Sequence, residues 1–115
     1  MPMHTTQYYQ DKLEQELTQV QQKIVSCLKH SQDPDYLLLA TKLQAESVQK
    51  WPELMSGVFS EQLKEYRHRL EQLEASLSQI QIGQYGYCAD CEAALPFEQL
   101  EHDPARQRCD SCRKK

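Results

Sequence analysis

The amino-acid sequence predicts a mainly α-helical protein, an antiparallel helical hairpin of the coiled-coil type followed by a small C-terminal module. The hairpin is predicted by two segments in which apolar residues recur at spacings of three and four, the pattern of a helix-packing seam. The module is predicted by two Cys-x-x-Cys pairs within the last 28 residues, since such pairs organise small folds. We therefore expect two domains, residues 1–82 and 83–115.

The first helix is predicted over residues 5–30. Neither proline nor glycine occurs between Met3 and Ser31, and both residues disfavour the interior of a helix. Its apolar side chains are expected to pack against another helix of the chain. The residues of this seam are Leu13, Leu17, Val20, Ile24 and Cys27.

A second helical segment is predicted over residues 34–50. Asp33 is placed to cap its N-terminus, and Pro34 suits the first helical position. Trp51-Pro52 is expected to interrupt the segment, because the residue before proline avoids the α region. Residues 31–59 then form the far end of the hairpin. An apolar cluster is expected there, formed by Leu37, Leu38, Leu39, Trp51 and Phe59.

The last long helix is predicted over residues 60–82. Glu65 and Arg69 are spaced for an i,i+4 ion pair on its exposed side, and Gly83 stands at the C′ position that ends helices. Because the two seams are similar in length, we expect them to pack antiparallel; a homodimeric coiled coil is the alternative. The seam of this helix consists of Leu63, Tyr66, Leu70, Leu73, Leu77 and Ile80.

Charge and hydropathy exclude several classes of function. The net charge of −4 argues against nonspecific binding of nucleic acid, which is driven by basic residues. No basic recognition helix is present, so sequence-specific DNA binding is not expected. No apolar run approaches the roughly 20 residues that span a membrane, and no secretory signal is recognisable. We expect a cytoplasmic protein that is a monomer or a weak dimer.

The four cysteines of the C-terminal module have the spacing Cys88-x2-Cys91-x17-Cys109-x2-Cys112. Each Cys-x-x-Cys turn directs two sulfurs at one point, so two turns complete a tetrahedral site for one Zn²⁺. Such a site has no open position, and the zinc is therefore expected to be structural. The alternative is a pair of disulfides, which a reducing cytoplasm disfavours.

Two other residues of ligating type are expected to lie outside the zinc site. Cys27 falls on the seam of the first helix, where a cysteine behaves as a small apolar residue, and four thiolates already complete the shell without His102. Pro96 is expected in the first turn of a short helix beside the cysteines. No catalytic constellation accompanies the saturated metal site, so we do not expect an enzyme.

Residues 83–112 resemble the DksA/TraR-type C4 zinc-finger family, and a looser similarity extends back through Leu70-Glu71-Gln72-Leu73-Glu74-Ala75-Ser76-Leu77. The resemblance implies a bacterial cytoplasmic protein in which a helical hairpin precedes the zinc finger. It also implies binding to RNA polymerase, because the hairpin of the best-known members enters the secondary channel and affects transcription initiation. The matching segments are Gly83-Gln84-Tyr85-Gly86-Tyr87-Cys88-Ala89-Asp90-Cys91, Leu95-Pro96, Leu100, Pro104-Ala105 and Cys109-Asp110-Ser111-Cys112.

The far end of the hairpin departs from the regulatory members of this family. Those members carry an Asp-x-x-Asp-x-Ala motif at the tip, whereas this chain has Asp33-Pro34-Asp35 followed by apolar residues and Ala40. The chain therefore resembles an atypical short member. Asp33 and Asp35 are candidate contacts with polymerase, with helix capping as the alternative role.

A second function is compatible with the same sequence. A non-catalytic adaptor would bind a partner protein through the apolar cluster of the far end, with Trp51 as one candidate contact, since exposed clusters of this kind mark partner sites. Burial of the cluster within the hairpin is the alternative that would remove this surface.

Overall fold

The computed structural model describes residues 6–57 and 60–113. In these residues the chain is mainly α-helical, as predicted, and contains no β-strand; two residues, Tyr87 and Ala94, form an isolated antiparallel bridge. No helix in the described residues is long and apolar enough to cross a membrane. The helices are α1 (Thr6–His30), α2 (Pro34–Ala45), α3 (Trp51–Leu54), α4 (Glu61–Gln81), α5 (Phe97–His102) and α6 (Asp110–Arg113).

The chain divides into two compact units. The terminal unit comprises the chain up to Gln15 and from Gln72 onward, and the central unit comprises Glu16–Glu71. The boundary between them falls within α1 and α4. The sequence predicted a boundary between residues 82 and 83, at the end of the helical hairpin, and that division into domains stays a prediction.

The central unit buries the apolar residues that α1 and α4 contribute to it, which confirms most of the predicted seam. Cys27 was misplaced, however: it is half-buried, and Leu28 is fully buried. At 3.6 residues per turn, a step of four from Ile24 keeps Leu28 on the packed face, and leucine buries more apolar surface than cysteine. Tyr66 is also only half-buried. The buried apolar residues that α1 and α4 contribute to the central unit are Leu17, Val20, Ile24, Leu28, Leu63 and Leu70.

The predicted Glu65–Arg69 ion pair is wrong. The guanidinium of Arg69 binds the carboxylate of Glu16 instead, with Nη2 donating to Oε1 at 2.8 Å and Nε donating to the other oxygen. A planar guanidinium matches both carboxylate oxygens at once, which a neighbour on the same helix does not offer so readily. This pair joins α1 to α4 and is consistent with antiparallel packing of the two helices.

The segment after Pro34 is shorter than predicted. Helix α2 ends at Ala45, and a 3₁₀ turn, Val48–Lys50, precedes α3. Trp51 begins α3 and does not interrupt a longer helix, because Pro52 occupies the first turn, where no backbone N–H is required. The indole of Trp51 is 3% exposed, and its Nε1 donates to the carbonyl oxygen of Glu46 at 3.3 Å.

The predicted apolar cluster does not form a single surface. Trp51 is buried, as the alternative of burial within the far end expects for this residue, and Leu39 is half-buried. The role of Trp51 in binding a partner stays a prediction. Leu37 and Leu38 are exposed, by 43% and 56%. Phe59 lies outside the described residues.

The terminal unit contains the end of α4 and the turn that follows it. Gly83 has a φ of 75°, its N–H donates to Ile80, and the N–H of Gln84 donates to Gln79. These two hydrogen bonds define a Schellman cap, which confirms Gly83 as the residue that ends the helix. Within this part of α4, Ser76 is fully buried, whereas Leu77 and Ile80 of the predicted seam are half-buried.

Candidate metal centre

The first cysteine pair lies in a tight turn of the terminal unit. The N–H of Cys88 donates to the Ala93 carbonyl at 2.8 Å, and the N–H of Glu92 donates back to the Cys88 carbonyl at 2.9 Å. Glu92 closes the turn with a φ of 64°, a left-handed conformation that few side chains adopt. These bonds fold the backbone back on itself, so that Cys88 and Cys91 lie side by side.

The second pair spans the start of α6. The N–H of Arg113 donates to the carbonyl of Cys109 at 2.9 Å, which closes one helical turn around Cys109 and Cys112. The two turns are joined by a hydrogen bond, in which the N–H of Ala89 donates to the carbonyl oxygen of Gln107 at 2.7 Å. The cluster is therefore positioned mainly by backbone hydrogen bonds.

The four cysteine sulfurs meet at one point. All four Sγ atoms lie within 4.8 Å of one another, and those of Cys91 and Cys109 are 3.6 Å apart. A tetrahedron with metal–sulfur distances of roughly 2.3 Å has edges of about 3.8 Å, whereas a disulfide bond is about 2.05 Å long. None of these cysteines is in a disulfide. The geometry therefore fits a site that could hold a metal ion.

The electrostatics of the cluster point to the same use. Backbone N–H groups of Cys91 and Cys109 hydrogen-bond to the sulfur of Cys88 and lower its pKa to about 6. Hydrogen bonds to Cys109 and Cys88 raise the pKa of Cys112 to about 12. Thiols this close resist ionising together, because each thiolate repels the next. A bound cation removes that conflict by replacing the protons.

Burial differs between the four cysteines. Cys88 is 2% exposed and belongs to an apolar cluster with Tyr9, Leu95 and Leu100, whereas Cys91 is exposed. The hydroxyl of Tyr9 donates to Glu101 at 2.9 Å, which connects α1 to α5. One side of the centre is thus packed into the core of the terminal unit.

The sequence pattern did not reveal this contribution of α1. Tyr9 lies near the start of α1, where the predicted seam has no member. The adjacent aromatics Tyr8 and Tyr9 were a signal, since two aromatic side chains in the otherwise polar first turns of α1 need an apolar partner.

The other candidate residues have separate positions. Neither Cys27 nor His102 belongs to the four-cysteine cluster found in the described residues. Asp33 accepts a hydrogen bond from the N–H of Asp35 at 2.9 Å, as the N-cap of α2, so its predicted capping role is confirmed. Both side chains are exposed, and their role in binding a partner stays a prediction.

Comparison of the chain with models of protein families, with curated proteins and with solved structures found no match.

Proposed function

We propose that the four-cysteine cluster holds one structural Zn²⁺ ion. The donor set of four thiolates favours soft or borderline metals, and a tetrahedral arrangement of sulfurs is typical of zinc or iron. Zinc fits a structural role, because four sulfurs leave no position open for water or substrate. The ion would join the turn at Cys88 to the turn at Cys109, which the backbone hydrogen bond from Ala89 to Gln107 also connects.

The protein is then a zinc-containing bacterial transcription regulator of the cytoplasm, which binds RNA polymerase through a helical hairpin formed by α1 and α4. The single observation that carries this proposal is the convergence of Cys88, Cys91, Cys109 and Cys112, because these residues anchor the resemblance to DksA/TraR proteins. The buried leucines of α1 and α4 and the ion pair of Arg69 with Glu16 also support a hairpin.

The exposed acids Asp33 and Asp35 are the proposed contacts with polymerase. They lie at the start of α2, between the two long helices in sequence. Two carboxylates in this position could act on basic residues or on metal-bound groups of the enzyme, as charged groups steer and orient protein complexes.

The test is direct binding of the zinc-loaded protein to purified bacterial RNA polymerase, followed by a transcription assay with purified components. We expect a stable complex and a change in initiation. Addition of polymerase without the protein, and of bovine serum albumin in its place, provides the baseline. If no complex forms at micromolar concentration, the polymerase proposal fails, although the zinc proposal does not.

The second candidate is an adaptor that binds another protein through Leu37 and Leu38. Their exposure of 43% and 56% favours it, because adjacent exposed leucines on one helix offer an apolar contact. A variant with Leu37→Ser and Leu38→Ser would lose the partner but keep the fold. If that variant binds polymerase as the parent does, the leucines are not part of the polymerase contact.

A further inference from the structure

A cavity of about 410 Å³ opens in the terminal unit, and the functions proposed above do not use it. Its walls come from the start of α1, the turn that carries Cys88, and the first half of α5. The aromatic rings among its lining residues are those of Tyr9, Tyr85, Tyr87 and Phe97. The chain has one Trp, six Tyr and two Phe, so four of its nine aromatic residues line this one cavity.

Two of the rings are fixed in position. The hydroxyl of Tyr85 donates to the Pro104 carbonyl at 2.7 Å, and that of Tyr9 donates to Glu101 at 2.9 Å. The two ring centroids are 5.7 Å apart. Because each hydroxyl is held by hydrogen bonding, the rings are preorganised, and a ligand would not have to order them. Tyr87, by contrast, is 47% exposed.

The charge of the lining is negative. Glu98 is the only ionisable acid or base among the lining residues other than the tyrosines, and it is exposed. Among the described residues no ion pair involves Glu98; Arg106 pairs with Asp110 and Arg108 with Asp90. A carboxylate beside electron-rich ring faces attracts a cation and repels an anion.

The same unit already holds one cation in this way. The ammonium nitrogen of Lys12 lies 5.0 Å from the centre of the Tyr8 ring, within the range of a cation–π interaction. The Tyr8 ring meets Tyr9 edge to face at 5.3 Å. A tyrosine of this unit therefore accepts a cation from the chain itself, and the ring that it meets, that of Tyr9, is among those that line the cavity.

We propose that this cavity binds an organic cation with an apolar stem, such as an arginine or lysine side chain or a quaternary amine. The rings of Tyr85, Tyr87 and Phe97 contact the stem and the charged group, and Glu98 neutralises the charge. This site is independent of the proposed contact with polymerase, since it lies in the terminal unit and uses none of the residues of α2.

The experiment uses the full-length, zinc-loaded protein and nuclear magnetic resonance titration of its amide and aromatic signals. The probes are N-acetyl-arginine amide and tetramethylammonium, with N-acetyl-citrulline amide as a neutral molecule of the same shape as the arginine probe. We expect the two cations to shift signals of Tyr85, Tyr87 and Phe97 in the millimolar range, and the citrulline probe to shift them at least several-fold more weakly. Tighter binding of the arginine amide would identify a protein side chain as the ligand, and tighter binding of tetramethylammonium a free amine.

Two variants test the named contacts. Glu98→Gln removes the charge at constant size, and Tyr87→Leu removes the ring face while keeping an apolar side chain. Each should weaken binding of the cations about 2- to 5-fold, the range for partly exposed charge and cation–π contacts. Glu65→Gln is the matched control, because it removes an exposed acid of the central unit, and it should leave the affinity unchanged.

Three results would overturn the proposal. Equal binding of the arginine and citrulline probes would show that charge plays no part. Unaltered affinity in Glu98→Gln would show that the carboxylate of Glu98 does not contribute to binding. Because Glu98 is exposed, this variant is expected to fold as the parent does. Absence of saturable shifts at tens of millimolar cation would show that the cavity binds no such ligand.

Discussion

Ser76 lies in the core of the terminal unit with its hydroxyl fully buried, and in the described part of the chain that hydroxyl has no hydrogen-bond partner. An unsatisfied buried hydroxyl costs about 1–3 kcal/mol, because the oxygen loses water and gains nothing. The neighbouring Leu77 is only half-buried, so the buried position in this part of the helix is occupied by the serine and not by the larger, apolar leucine. A serine here therefore reduces the stability that the position could provide.

We expect Ser76→Ala to raise the free energy of unfolding by about 1–2 kcal/mol, from relief of that desolvation and from the better helix propensity of alanine. Ser78→Ala is the matched control, because Ser78 is exposed on the same helix and reports propensity alone, about 0.5 kcal/mol. Urea denaturation of the three proteins measures the difference. If the two variants gain the same amount, the hydroxyl of Ser76 is satisfied in solution.

A second residue-scale prediction separates the ion pair in the structure from the one that spacing suggests. Glu16→Ala would remove the carboxylate that binds the half-buried guanidinium of Arg69, and we expect a loss of about 1–2 kcal/mol. Glu65→Ala removes an exposed acid and should change stability by less than about 0.5 kcal/mol. Thermal unfolding of both variants decides between them, and an equal effect would mean that Arg69 is not committed to Glu16.

At the scale of elements, the sequence predicted the two long helices well and the segment between them poorly. Helices α1 and α4 agree with their predicted ranges to within one residue at each end, because long periodic patterns and the cap at Gly83 are local signals. The break after Ala45 carries no proline or glycine. The break arises from the burial of Trp51 and from the hydrogen bond that its Nε1 donates to the Glu46 carbonyl. The spacing of apolar residues in the sequence does not predict such contacts.

The start of α2 allows capping to be separated from recognition. Asn caps a helix about as well as Asp, so a double variant with Asp33→Asn and Asp35→Asn should remain folded and keep its metal while losing two charges. If these acids contact polymerase, its effect on transcription in a purified assay should fall at least several-fold. Asp33→Ala is the complementary variant, expected to lose about 1 kcal/mol with the cap. Unchanged transcription activity in the Asn variant would leave the acids with capping alone.

The site was predicted from the sequence more completely than the packing around it. Spacing alone identified all four cysteines that converge, because ligand sets of this type are encoded in short turns. The support from Tyr9 was not identified, since a contact between residues 9 and 101 leaves no local trace. The pairing of Arg69 was missed for the same reason.

At the scale of the whole molecule, the metal and the helices should contribute separately to folding. The central unit has its own buried apolar residues, Glu16–Arg69 ion pair and buried Trp51, and none of these involves a cysteine of the cluster. In the terminal unit, Cys88 packs in the apolar cluster with Tyr9, Leu95 and Leu100, and a metal bound by the four cysteines would add its binding free energy to the stability of that fold. We therefore expect a strong chelator, or Cys91→Ser, to abolish the ordered signals of residues 83–113 while most of the helical circular dichroism survives.

Cys27→Ser is the control, because this half-buried cysteine lies in the central unit, and it should keep one zinc per chain by elemental analysis. Acid should release the metal as chelation does, since protons compete for the thiolates. Complete loss of helix on metal removal would mean that both units fold as one cooperative structure, and a purified protein with no metal would remove the zinc proposal itself.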